Sequence, residues 1–136
     1  MPWFAAHAIT YFKWKDSPQD KFHVWENVIL IEAPDGADVW SMAEDCARQD
    51  EGDSEGSLTS EGHPATQVFA GIRKVTEVFF RDDPSKFSHG DEVTFTEYDV
   101  SGLAALKALA AGERAMVEYS KIEYPEKGPA FGEEES

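Results

Sequence analysis

The sequence predicts a single α+β domain: a mainly antiparallel sheet of about five or six strands with two helices packed on one face. Three observations lead there. Several segments are aromatic and β-branched or alternate apolar and polar residues, as strands do. Two segments switch to an apolar stripe with helical spacing. The links between strands are mostly short and rich in Pro, Gly, Asp and Ser, which suits hairpins.

The elements follow in the order β-β-α-β-β, then β-α-β. "WFAAHAITYFKW", residues 3–14, reads as a long strand, and "DSPQD" with Pro18 ends it. "FHVWENVILIEA", residues 22–33, is a second strand, and the short polar link makes the two an antiparallel hairpin. In "PDGADVWSMAEDCARQD" the period changes. Trp40, Ala43 and Ala47 form one helical face with Met42 and Cys46 beside them, Asp35 or Asp38 caps the start, and the helix runs to about Gln49. Residues 57–62 open a hairpin whose turn is Glu61-Gly62. "ATQVFAGIRKVTEVFF", residues 65–80, is the clearest strand, and Gly71 within it marks a bulge or a close packing contact. "VTFTEYDV", residues 93–100, alternates as a strand. "SGLAALKALAAG" is a short helix capped by Ser101, with Leu103, Leu106 and Ala110 inward and Gly112 as its stop. Residues 114–124 form the last strand. The domain therefore spans 1–124, and 125–136 is an acidic, flexible tail.

Composition narrows the function. The 136 residues suit one domain, large enough to bury roughly two-thirds of the surface its unfolded chain exposes. The net charge of −15, with 27 acids against 12 Lys and Arg, argues against nucleic-acid and anionic-membrane partners and favours a basic protein partner. From Glu32 to Glu61 there are ten acids and one base, Arg48. No apolar run approaches the roughly 20 residues that span a bilayer. The N-terminus lacks a basic signal-peptide start, and the one cysteine, Cys46, allows no intrachain disulfide. The expected compartment is the cytoplasm.

The succession "WFAAHAITYF", "VWENVILIEA", a helix, then "PATQVFAGIRKV" resembles a bacterial family known only as domain of unknown function 4288. Phe69, Gly71, Ile72 and Val75 match its "F-x-G-V-x-x-V" strand, and the resemblance covers roughly residues 3–120. It implies one domain in a bacterial cytoplasm, and it brings no established activity and no catalytic residues to transfer.

Catalytic and metal chemistry find little support in the residues. "EGDSEGSLTSEG", residues 51–62, begins like a calcium loop with Glu51, Asp53, Glu55 and Gly56. The twelfth position falls on Gly62, however, and Glu61 comes one residue early. His7, His23, His63, His89 and Cys46 have no metal-ligand spacing, although hairpin pairing could join His7 to His23. Cys46 lies on an apolar helix face and reads as a small core residue. No nucleophile elbow, phosphate loop or dinucleotide fingerprint occurs, so no cofactor is expected.

The best-supported reading is a non-catalytic protein-binding module, an immunity or antitoxin-like or accessory factor. Its contact surface is the acidic face over residues 35–61, chiefly Asp45, Asp50, Glu51, Asp53 and Glu55. The alternative is a small-molecule site or unrecognised enzyme on an aromatic sheet face bearing His7, Trp25 and Asn27. A further alternative is a DNA mimic. An exposed strand edge also allows a homodimer.

Overall fold

The computed structural model describes residues 2–119. The elements are β1 (Trp3–Trp14), β2 (Lys21–Glu32), α1 (Val39–Arg48), β3 (Thr59–Ser60), β4 (His63–Val78), β5 (Glu92–Ser101), α2 (Leu103–Ala110) and β6 (Glu118–Tyr119), with a short 3-10 turn at Pro84–Lys86. The fold is α+β. Its six strands lie in the order β3-β4-β1-β2-β5-β6, every pair antiparallel.

Register decides what each face carries. Across β1 and β2, Phe4 opposes Ile31, Ala6 opposes Ile29, Ala8 opposes Asn27 and Thr10 opposes Trp25. Even residues of β1 thus share a face with odd residues of β2. On that face, α1 packs Ala43 and Ala47 against Ala6, Ala8, Ile29, Ile31, Phe69 and Ile72. Alanine on both sides of the contact brings the helix close to the sheet. On the other face, α2 packs Leu106, Leu109 and Ala110 against Ile9, Phe22, Val24, Tyr98 and Val100.

The helices therefore cover opposite faces, which corrects the expectation that both pack on one. The cause lies in β1. Ala8, Ile9 and Thr10 are consecutive and all buried, as in a strand covered on both sides.

The ends of α1 are as read, while its inward face and the start of α2 differ from expectation. Asp38 caps α1 by accepting the Ser41 N–H at 3.2 Å, but Trp40 is half exposed while Met42, Ala43, Cys46 and Ala47 face inward. Ser101 does not cap α2; it ends β5, and Gly102 starts the helix with φ +91. Leu103 is half exposed, and Leu109 takes the inward place beside Leu106 and Ala110. Of the expected strand 114–124, the described part contains only Glu118–Tyr119. Residues 120–124 and the expected tail, 125–136, lie outside the described residues.

β4 carries two bulges. Its pairing with β1 skips Arg73 between Lys74 and Ile72, and Ala70 between Gly71 and Phe69. Gly71 lies between them, where α2 comes so near that a Cβ would stand 2.9 Å from the Ala110 carbonyl oxygen. Both readings of this glycine hold, since the bulges and the close contact occur together.

Candidate functional site

The loop after α1 lies along β4 through an isolated bridge between Gly52 and Gln67. Its acids divide into two sets. Glu51 accepts the Phe69 N–H at 2.9 Å, a donor next to a bulge, and its other oxygen stands 3.4 Å from Arg48 Nη1. Asp53 pairs with Lys15 on the β1–β2 turn, and its carbonyl accepts the N–H groups of Gly56 and Leu58. The Lys15 bond first, and the Gly56 N–H after it, hold the Asp53 carboxyl below the usual range. These two acids bind the loop to the sheet. Asp45, Asp50 and Glu55 are exposed, and no described residue neutralises them. Burial, and then the charge of Asp50, raise the carboxyl of Glu92, so the negative field extends to the start of β5.

Glu51 and Asp53 occupy the first two oxygen positions of the calcium-like register, and here they serve Phe69 and Lys15. Glu61 (φ +51) and Gly62 (φ +84) form the two-residue turn that pairs Ser60 with His63. Positive φ at both central positions is the primed turn that matches strand twist.

Beyond α1, the same sheet face opens into a cleft of about 450 Å³. Phe12, His23 and Trp25 form its floor, and Leu58 to Glu61 form the opposite wall. The indole of Trp25 stacks on Phe95 at 5.3 Å and meets Phe12 edge-on at 5.5 Å. His23 lies between two carboxylates on β5, with Nδ1 3.2 Å from Asp99 and Nε2 3.0 Å from Glu97. Carboxylates only accept, so both contacts become hydrogen bonds when both ring nitrogens carry protons. The Trp25 indole N–H donates to the same Glu97 oxygen at 3.1 Å.

This arrangement corrects the grouping of His7 with Trp25 and Asn27. His7 opposes Val28 and stands on the other face, where its Nδ1 lies 2.7 Å from Glu26 Oε2 and Tyr98 donates to Glu26 Oε1 at 2.6 Å. His7 and His23 are likewise on opposite faces and form no ligand pair. Asn27 does share the Trp25 face, but it is buried there, and neither its Oδ1 nor Thr10 Oγ1 has a hydrogen-bond partner among the described residues. The histidine that joins Trp25 is His23, with Phe12, Glu97 and Asp99, and the sequence reading missed this set. The available signal was parity: His23 and Trp25, two apart on β2, share a face in any register, and only the addition of Phe12 needs the β1–β2 register.

Cys46 has a neighbour unforeseen from its helix position, since its Sγ lies 3.4 Å from His89 Nε2. His89 Nδ1 accepts the Glu32 N–H at 3.1 Å, which puts the proton of the neutral ring on Nε2, pointing at the sulfur. The ring is thus a donor to the thiol and not a base for it. Burial, followed by the charge of Asp45, raises the thiol's pKa. A thiol held protonated is a poor nucleophile.

No protein-family model matches the chain, and neither a curated protein nor a solved structure matches it.

Proposed function

We propose that the protein is a non-catalytic binding module of the immunity, antitoxin-like or accessory kind, and that its partner is a protein with a basic surface. One observation carries the reading. Asp45, Asp50 and Glu55 are exposed and neutralised by no described residue, while Glu51 and Asp53 fix the loop that presents them. A fixed array of like charges costs folding stability and gains on-rate toward an oppositely charged partner. The donor tautomer of His89 beside Cys46 supports a non-catalytic role.

The cytoplasm is part of the same proposal, supported by the single cysteine. No helix among the described residues is long and apolar enough to cross a membrane. Kinship with domain of unknown function 4288 is also proposed, on the motif residues Phe69, Gly71, Ile72 and Val75. A second reading, a small-molecule site, is favoured by the aromatic cleft, with Trp25 and His23 in place of the His7 set.

Affinity capture from the host at low and high salt tests the main reading. Capture of a basic protein that weakens with salt, and is lost when Asp45, Asp50 and Glu55 are all changed to Lys, is expected. Capture indifferent to both changes contradicts it.

A further inference from the structure

We infer that the cleft between Trp25 and the residue 58–61 hairpin is an arginine pocket, which receives a guanidinium side chain of the protein partner. The inference rests on the binding-module reading above and names what the partner must insert.

The chemistry of the cleft selects a cation. Its floor is already directed at carboxylates: the two ring nitrogens of His23 face Glu97 and Asp99, and the Trp25 N–H lies 3.1 Å from Glu97 and 3.2 Å from His23 Nε2. Lys21 is drawn to Asp99 at 3.7 Å and Glu118 at 3.8 Å. A cation meets Glu61 on one wall. Behind the floor stands Glu97, which spends a single oxygen, Oε1, on both His23 and Trp25. The second oxygen of Glu97 has no bond from a described residue.

The walls select arginine among cations. Trp25 is fixed on one face by Phe95 and oriented by its N–H bond, so its ring is a preset platform. A planar guanidinium stacks on an indole, is more weakly hydrated than an ammonium, and forks onto a carboxylate at the same time. The volume of about 450 Å³ lies within the usual range of ligand pockets and admits the side chain with flanking backbone. The location suits a protein-borne arginine: Leu58 to Glu61 continue the loop that displays Glu55, so a charge that attracts a basic partner adjoins the pocket that would anchor it.

The test uses the full chain and two blocked amino acids, Nα-acetyl-arginine methylamide and its uncharged isostere, Nα-acetyl-citrulline methylamide. Titration is followed by the Trp25 indole N–H resonance. Arginine is expected to move that resonance saturably, and citrulline to leave it in place. Glu97→Gln keeps the shape of the side chain, and Glu61→Asn keeps a residue that tolerates positive φ; each is expected to weaken arginine binding by about three- to tenfold. An unmoved resonance with arginine, or an equal response to citrulline, overturns the inference. Both amino-acid titrations are made on the unaltered protein, so a variant that misfolds does not remove the test. The salt response of partner capture is measured separately: if arginine fails while capture stays salt-sensitive, the pocket is wrong and the binding module stands. If arginine binds while capture ignores salt and charge reversal, the binding-module reading is wrong.

Discussion

Tyr98 donates its hydroxyl proton to Glu26 across 2.6 Å, though the residues are 72 apart in sequence. They stand on neighbouring strands, β5 and β2, and His7 of β1 adds a second contact to the same carboxylate at 2.7 Å. Burial alone would raise the Glu26 pKa, but the Tyr98 and His7 bonds, with the charges of His7 and Arg73, together hold it below its usual value. Burial first, and the bond to Glu26 after it, push the Tyr98 phenol far up.

The sign of the pH effect follows from these directions. A depressed folded pKa means that Glu26 stabilises the protein above the ordinary glutamate value, about 4.3, and loses that contribution as pH falls through the folded value. Tyr98→Phe is expected to cost about 1.5–3 kcal/mol near neutrality, the range for a hydrogen bond to a charged group. The gap between the two proteins should narrow on acidification. Urea unfolding of both from pH 7 downward checks this; a gap that does not change with pH contradicts it.

Arg73 projects from a β4 bulge and donates through Nη1 to the carbonyls of Leu109 at 2.7 Å and Glu113 at 2.9 Å. It thereby adds a charged donor to the Leu109 carbonyl, which also accepts the Gly112 N–H at 3.2 Å, and ties the end of α2 to the residues that follow it. Arg73→Met keeps the stem and removes the donors. A loss of about 2–3 kcal/mol is expected, with faster amide exchange across Leu103–Ala110 than across Val39–Arg48. Equal acceleration of both helices would show that Arg73 does not act locally on α2.

Gly71→Ala brings a methyl to 2.9 Å from the Ala110 carbonyl oxygen and 3.3 Å from the Ala110 Cβ. The closer atom is backbone, so relief requires α2 to move. Destabilisation of about 1–3 kcal/mol is expected. Resonances of Leu106 and Leu109 should shift while those of Ala43, on the far side of the sheet, do not. Thermal melting and methyl spectra read both effects, and a neutral substitution would mean that α2 lies farther from β4.

The acids should separate by role. Asp45→Lys, Asp50→Lys and Glu55→Lys are each expected to change stability by less than about 0.5 kcal/mol, as for exposed sites with no partner among the described residues. Glu51→Leu leaves the Phe69 N–H unpaired and should cost about 1–2 kcal/mol. Denaturation midpoints of the four variants test this, and equal costs throughout would dissolve the distinction between anchoring and displayed acids.

Strand extents were legible in the sequence because β-branched and aromatic runs end where Pro, Gly and Asp begin: β1 spans Trp3–Trp14 as read, and Glu61-Gly62 makes the expected turn. The faces were not legible. β1 is apolar on both sides, so Ala8, Ile9 and Thr10 give no alternation from which to choose a side for each helix. Pairing His7 with Trp25 failed because face-sharing across a hairpin depends on register, and a one-residue difference exchanges every side chain. The cleft was hidden further, since His23 meets Glu97 and Asp99 only across 74 and 76 residues of sequence, through the β2–β5 pairing. Leu103 and Leu109 exchanged roles because α2 starts from Gly102 at φ +91, which set its phase one way among several that an alanine-rich helix permits.

The proposed contact face is tested most directly by an amide-exchange footprint of the protein alone and with its captured basic partner. Slowed exchange at residues 45–61, continuing onto β1 and β2 around Phe12 and Trp25, is the expected result. Protection confined to α2 and the opposite face of the sheet, with 45–61 unchanged, would contradict it.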